Sequence, residues 1–384
     1  MIEATLSIEK AAEGSWDAII VGAGPAGSLA AHELALRGAA VLLVDKAQFP
    51  RWKVCGCCLN GRAMSTLEAS GLGTLPGRLH GVPLRHLSLC VPRLQATLAL
   101  PKALVLSRGS LDAGLVQAAV RSGAQFLSQT YATCGVARPL FREIVLRQRE
   151  RCVRATAKVV LAADGLGGRL VCGKKGPLVS SAAKSWIGLG AIAPDGPSFY
   201  GSGTIYMACG SGGYAGIVRL EDGRLNVAAA VDPAMLKQAG HAGSAVAALL
   251  GEVGLPLVSG LAKSHWCGTA ALTRRTARLG HHRLFVIGDA AGYIEPFTGE
   301  GIAWALAAGQ AVAPLAMQAV HHWRSHLALK WSTVYHKTVG RRQRVCRALT
   351  TVVRRPFLIG AVVAALAWVP SLAQPFIHEL NRSA

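Results

Sequence analysis

Residues 16–46 read WDAIIVGAGPAGSLAAHELALRGAAVLLVDK. An apolar strand (17–21) runs into a glycine-rich turn, a helix of Ala and Leu extends to residue 36, and a second strand (40–44) ends in Asp45. Gly22 permits the tight turn, Gly24 lets backbone approach a pyrophosphate, and Gly27 lets helix and strand pack closely. The helix N-terminus then points free N–H groups and its positive dipole end at the phosphates. Asp45 is placed for the ribose hydroxyls. A glycine turn alone is a weak signal; strand, glycines, helix, strand and acid in register are a strong one. The spacing admits NAD or FAD.

Three later segments choose between them. KVVLAADGLGGRLV (158–171) is an apolar strand ending in Asp164-Gly165, with Arg169 beyond. RLFVIGDAAGYIEPFTGEGIAWALAAGQAV (283–312) is a strand ending in Gly288-Asp289, followed by a loop and a helix from about Gly301. LSRGSLDAGLVQAAVRSGA (106–124) reads as an arginine-bearing strand end followed by a helix. In this order the segments resemble the para-hydroxybenzoate hydroxylase superfamily of flavoproteins, over roughly residues 16–320. The resemblance implies FAD, with Arg108 contacting it and Asp289 on the ribityl chain. The candidate cofactor contacts are Gly22, Gly24, Ala26, Gly27, Asp45, Lys46, Gly56, Arg108, Asp164, Asp289, Pro296, Gly299, Gly301 and Ile302. Physical chemistry agrees at the last of these. Reduced flavin is negative near N1 and C2=O, and a Gly299-Glu300-Gly301 turn opening a helix offers N–H groups to that charge.

Within the superfamily, PRWKVCG (50–56) and PFTGEGI (296–302) are most similar to the geranylgeranyl reductase branch. Those enzymes use FAD to saturate isolated double bonds in prenyl chains. Their P-x-x-x-x-C-G segment lies at the flavin ring, and Pro50, Cys55 and Gly56 match it. The branch also carries a Tyr-x-Trp-x-Phe-Pro segment, then Gly-x-Gly, along its lipid cavity. In residues 212–232 Tyr214 remains, Gly216 stands for the Trp, Val218-Arg219 stands for Phe-Pro, and no Gly-x-Gly follows. Tyr214 is therefore the substrate-wall candidate, in a cavity made wider or suited to a ring-containing substrate. Flavin halogenases, a third branch, need a Trp-x-Trp-x-Ile-Pro segment, which the sequence lacks, and a lysine over the flavin. Lys53, in a basic loop, reads as solvated.

Cys55, Cys57 and Cys58 crowd into four positions. Zinc takes about four ligands, and no second cysteine pair or suitable histidine pair completes a set, so no metal is expected. Cys55 and Cys58 form a C-x-x-C, which leaves a redox pair open on spacing. The flavin disulfide reductases, however, space theirs C-x4-C and own a second nucleotide domain. Plain packing is a third reading. The fourth is one working thiol, Cys55, the only one the reductase-like frame selects, and it is the catalytic candidate. His281-His282 and His321-His322 read as surface or interface residues, since neighbours rarely face one ion. With a single Rossmann fingerprint, the electron donor, NAD(P)H or a reduced carrier, visits without a domain of its own.

The expected fold is α/β: a Rossmann-type FAD-binding domain interleaved with an antiparallel β-sheet substrate domain, plus a helical C-terminal segment. The FAD-binding parts are 15–80, 102–175 and 265–320, the substrate domain is 81–101 and 176–264, and 321–384 is helical. Residues 233–252 read as one helix on the outer side, and 1–15 as a loose leader without signal-peptide features. Hydrophobic residues make up 51% and charged ones 16%, which excludes general disorder. The net charge of +21 invites a nucleic-acid partner, but aromatic residues are 6% and no compact basic motif exists, so none is expected. From His321 to Ala384 ten Lys/Arg accompany one acid, beside the uncharged run 356–378, which suits an anionic membrane surface. The 13 residues from Phe357 to Val369 fall short of the roughly 20 a spanning helix needs. An in-plane anchor helped by Arg341, Arg342, Arg344, Arg347, Arg354 and Arg355 is one expectation, and a helix packed over the substrate domain is the other. The expected location is cytoplasmic, peripheral on the inner face of the membrane if the anchor operates. The expected activity is FAD-dependent reduction of a carbon–carbon double bond in a lipophilic, prenyl or polyketide-like substrate. Aromatic monooxygenation is the alternative, followed by flavin halogenation and a non-enzymatic flavoprotein.

Overall fold

Strand Ser15–Val21 lies at the centre of a parallel sheet because both its flanks are apolar and its neighbours are equally so. Val41–Val44 pairs with it on one side and the second half of Arg151–Ala162 on the other, while Gln125–Leu127 and Leu284–Val286 extend the edges. The computed structural model describes residues 1–173, 176, 177, 179–295 and 297–381. Helices Pro25–Leu36 and Gly301–His321 pack together against this sheet, and Arg108–Arg121 packs on the first of them. The first half of Arg151–Ala162 carries an antiparallel hairpin, Tyr131–Ala137 and Arg142–Gln148.

A second eight-stranded sheet runs, in spatial order, Cys267–Ala271, Ile187–Ala193, Leu225–Val231, Gly213–Arg219, Thr204–Gly210, Val82–Val91, Leu94–Val105 and Cys58–Leu59. Its neighbours are antiparallel except one pair, Thr204–Gly210 beside Val82–Val91. The chain leaves this sheet after residue 105 to build the helix, hairpin and strand of the other, and after its return Thr204–Gly210 joins the edge of Val82–Val91. The last strand of the order matters for the site: Cys58–Leu59 anchors the cysteine loop to the second sheet.

Two expectations need correction. Residues 1–15 are not loose. Ile8–Glu13 is a helix capped by Ser7, with Ile8 and Ala11 buried, and the Ile2 and Thr5 N–H groups donate to Phe49 and Phe126 carbonyls at 2.9 Å. The apolar side chains at 2, 6, 8 and 11 pack on the first core, which charge and hydropathy at that end did not advertise. Residues 233–252 form two helices, Pro233–Ala239 and Ala242–Glu252. Gly240, at φ 71°, ends the first with its N–H on the Leu236 carbonyl, and the His241 side chain caps the second.

The C-terminal region is helical over most of its described length: His326–Tyr335, a π-helical turn His336–Gly340, Arg341–Val353, Pro356–Trp368, a 3₁₀ turn Pro370–Ala373, and Gln374–Asn381. Trp331, fully buried, fastens its start by donating to the Val286 carbonyl (2.9 Å). Among the described residues one helix, Gly301–His321, is long and apolar enough to cross a membrane, and 72% of its most apolar stretch is buried inside the protein. His326–Val353 and Pro356–Trp368 qualify only as a pair, and they are bent by 102°.

The leader is directly testable. Ile8→Ala removes a fully buried side chain and should destabilise by about 2–5 kcal/mol, read from the midpoint of denaturant unfolding. A loose segment would give a change within about 0.5 kcal/mol.

Candidate active site

The first turn is built by backbone crowding. Gly22 has φ 105°, and a Cβ there would lie 2.2 Å from the Ala163 carbonyl oxygen; one at Gly27 would lie 1.9 Å from that of Gly22. Gly24 differs, because a Cβ there meets only two guanidinium groups, Arg51 Nη2 at 3.7 Å and Arg108 Nη2 at 4.0 Å. The space between the helix N-terminus and these two cations fits a pyrophosphate in shape and charge. Ala26, in the first turn of that helix, lines the same opening.

Asp112, fully buried, accepts both branches of Arg108 (2.9 and 2.8 Å) and lies 3.2 Å from Arg51 Nη1. Arg51 lies 3.9 Å from Asp45 as well, so both guanidinium groups are fixed by acids at the cavity wall. Arg51 also stands over the Phe49 ring, 4.9 Å from its centroid. Asp45 accepts from the N–H groups of Ala23 (2.7 Å) and Ala47 (2.8 Å), which fixes its carboxylate at the cavity edge beside exposed Lys46. Asp164 accepts from Leu170 N–H (2.8 Å), and a Cβ at Gly168 would strike its carboxylate, so this acid also shapes the loop that carries it. Asp289 follows Gly288, at φ 61°, whose missing side chain lets the turn sit against Ala26. Burial raises the Asp289 carboxyl, and the nearby charges of Lys53 and Arg108 offset part of that rise.

The cysteine loop closes this end. The Cys57 N–H donates to Cys55 Sγ (3.4 Å), and Asn226 donates to the Cys55 carbonyl (2.9 Å), tying the loop to the second sheet. Cys57 is buried at φ 59°, and the Cys58 thiol donates to the Gly56 carbonyl (3.0 Å). A hydrogen bond from the Cys57 thiol, distinct from that of its N–H, is the largest influence on Cys55; with the Arg108 charge it outweighs burial and lowers the thiol to about 6. The same hydrogen bond keeps Cys57 protonated, and burial does so for Cys58. Cys55 is thus a thiolate at neutral pH while its two neighbours are thiols. Gly56 meets nothing within 4 Å at its Cβ position and opens to the cavity. Opposite, Gly299 has φ 71°, a Cβ there would lie 3.9 Å from Cys58 Cβ, and Gly301 and Ile302 begin the long helix on the cavity wall. Pro296 lies outside the described residues.

The candidate cofactor contacts other than Gly27 and Pro296, together with Arg51 and the three cysteines, line one continuous cavity of about 1530 Å³. That exceeds the roughly 300–1,000 Å³ of a site for one small molecule. Beyond the cysteine loop the walls become apolar: Leu87, Leu89, Leu98, Leu100, Ile205 and Met207 from the sheet face Val353, Ile359, Leu366, Phe376 and Ile377 from the C-terminal helices. Tyr214 stands at the junction, its ring between Trp186 (6.1 Å) and Phe297 (5.1 Å, edge-on). A Cβ at Gly216 would lie 2.9 Å from Met207 Sδ, so the thioether occupies space on that wall.

Lys53 corrects the sequence reading. It is turned into the cavity with Nζ 3.1 Å from where a Gly165 Cβ would stand, and burial, with Arg108 and Arg51 nearby, lowers its ammonium. Two of the six arginines assigned to a surface also turn inward: Arg342 pairs with Glu300 (3.3 Å) and Arg354 with fully buried Glu295 (2.5 Å). Arg51 and Tyr293 were missed from sequence, Lys53 was named there but read as solvated, and the helical roof was one of two readings. Arg51 and Lys53 lie inside the very segment that marked Cys55. The described histidine pairs meet no cluster of metal-binding groups.

The model of an FAD binding domain matches residues 15–173. Menaquinone reductase of Mycobacterium tuberculosis is 51% identical over 61 residues, 16% of this chain and 15% of that protein's length. Digeranylgeranylglycerophospholipid reductase 1 of Methanothermobacter thermautotrophicus is 27% identical over 355 residues, 86% of this chain and 82% of that protein. The p-nitrophenol 4-monooxygenase of Pseudomonas putida superposes with a TM-score of 0.78 at 15% identity, covering 96% of this chain and 98% of the other.

The thiolate can be titrated. Alkylation of Cys55 by iodoacetamide, followed by mass spectrometry, should rise with pH to a plateau with its midpoint near 6. Arg108→Gln should move that midpoint up. A wild-type midpoint at the ordinary thiol value of about 8.5 would remove the charge from Cys55.

Proposed function

For a chain with the FAD binding domain and the fold of the para-hydroxybenzoate hydroxylase superfamily of flavoproteins, we propose an FAD-dependent oxidoreductase that saturates a carbon–carbon double bond in a lipophilic substrate. The observation that carries this reading is the single cavity whose polar end fits a dinucleotide and whose other end is a long apolar arm. Bound FAD supplies a hydride when reduced. Gly22, Gly24, Arg51, Arg108 and the helix N-terminus hold its pyrophosphate, Asp45 and Asp289 its sugar and ribityl hydroxyls, and Gly299 and Gly301 face its ring. Cys55 adds a fixed negative charge beside the ring and shapes the wall there. The substrate, a prenyl or polyketide-like chain, lies along the apolar arm past Tyr214. The relatives named as reductases support this assignment. NAD(P)H or a reduced carrier is the electron donor, reaching the flavin without a domain of its own.

Lys53 favours a second reading, since a desolvated lysine in the cavity suits oxygen chemistry at the flavin, as in an aromatic monooxygenase or a halogenase. Anaerobic reduction followed by addition of unsaturated lipids or phenols separates the two. The reductase reading expects flavin reoxidation by an unsaturated lipid before air is admitted. Reoxidation with substrate conversion only after air would replace it with the monooxygenase.

A membrane-facing role for the C-terminal helices belongs to the same proposal. Phe357 (85% exposed), Ala361, Ala365, Trp368 (91%) and Leu372 (60%) form an apolar stripe outside the roof, and Leu372 also lines the cavity. Arg341, Arg344, Arg347 and Arg355 are exposed beside it. An anionic bilayer would satisfy both, at about 1 kcal/mol per basic residue and about 1.5–3 kcal/mol per large apolar side chain buried. Wild-type protein should sediment with anionic liposomes in low salt, and Phe357→Glu with Trp368→Glu should abolish this. Wild-type protein that stays in the supernatant leaves the helices as a roof alone.

A further inference from the structure

Saturating a double bond takes a proton as well as a hydride. Of the groups at the flavin end of the cavity, Lys53 turns toward Gly165, and the Cys57 and Cys58 thiols point back into their own loop, at the Cys55 and Gly56 carbonyls. Asp112 is held by two arginines, Asp164 accepts from Leu170, and Asp289 faces Lys53 and Arg108. Cys55, a thiolate at neutral pH, has lost its proton.

Tyr293 is different. Gly292–Tyr293 pairs with Arg274–Thr276, which fixes the backbone, and the ring packs edge-on to Trp304 with centroids 6.3 Å apart. The hydroxyl reaches 3.0 Å from where a Gly301 Cβ would stand, at the opening of the long helix, and only glycine leaves it that room. Tyr293 lines the cavity, beside Asp289 and Gly301. It shares its surroundings with Asp289 and Cys55, whose charges act on it, and burial foremost keeps it a phenol.

Resting on the reductase reading, we infer that Tyr293 is the catalytic acid that hands the proton to the substrate carbon, from the cavity wall between Asp289 and Gly301. The balance closes without another reagent. The π bond breaks and two C–H bonds form, one from the flavin's hydride and one from the phenol proton. The substrate gains two electrons, the reduced flavin loses them, and the phenolate takes a proton back from solvent.

The test is Tyr293→Phe in the full-length, FAD-loaded protein, which keeps the ring against Trp304 and removes only the hydroxyl. FAD retention and the shift of the flavin spectrum on binding an unsaturated lipid should stay at wild-type values. Anaerobic single-turnover reoxidation by that lipid should slow by about 10²–10⁴-fold, and the fall of the wild-type rate at alkaline pH should vanish in the variant. A variant that reoxidises at the wild-type rate, or loses FAD or lipid binding in step with rate, overturns the assignment. If wild-type flavin is not reoxidised anaerobically by any unsaturated lipid, the reductase reading fails, and this inference with it.

Discussion

Ala26 is where the molecule is pinned. A Cβ at Gly309 would lie 2.4 Å from its carbonyl oxygen, one at Gly288 would lie 2.8 Å from its side chain, and one at Gly27 would strike Gly22. Three backbone approaches that only glycine permits thus bring the first strand, the Gly288-Asp289 turn and the long helix to one point. The consequence is directional. The N-terminus of Pro25–Leu36, the Asp289 carboxyl and the opening of Gly301–His321 all face the same cavity, and a larger residue at any of these glycines would splay them apart.

From that point the constraint travels to the roof of the apolar arm. Glu300 holds Arg342 and Glu295 holds Arg354, both acids buried, so the loop that faces the flavin position is fastened to helix Arg341–Val353. Arg354 also stands 4.5 Å over Trp186, which packs on Tyr214, which packs on Phe297 of the same loop. At the far end Asn381 accepts from Gly61 N–H (2.7 Å), at the start of the helix that follows the cysteine loop. Buried ion pairs gain little net stability because each charge loses its hydration. Their effect here is on register, holding an otherwise sliding apolar helix over one stretch of sheet. The π-helical turn at His336–Gly340 adjusts the phase at which that helix begins.

The nucleotide-binding half was legible because its signals are local. Glycine at a positive φ, a strand that ends in an acid and a helix that opens on the turn are properties of neighbouring residues, and Gly22, Asp45, Gly288 and Asp289 lie where those rules place them. The cavity's far end was legible only as a choice. An uncharged helix with three nearby prolines is equally a surface anchor or a roof until partners such as Glu295 and Glu300, some 50 residues away in sequence, are seen to take its arginines. Lys53 was misread for a related reason: a basic loop is normally solvated, and only the fold shows this one turned toward Gly165 and Asp289. The leader's role was hidden because four apolar residues across eleven positions carry no distinct period, yet each finds the first core.

The claim that unites these features is that one cavity holds FAD and a long apolar ligand side by side. It is tested most directly by titrating the FAD-loaded protein with a polyprenyl lipid in mild detergent while recording the visible spectrum of the flavin and the fraction still bound. The account predicts a saturable change in the spectrum with all the FAD retained. A spectrum that never responds, or FAD released as the lipid binds, would contradict it.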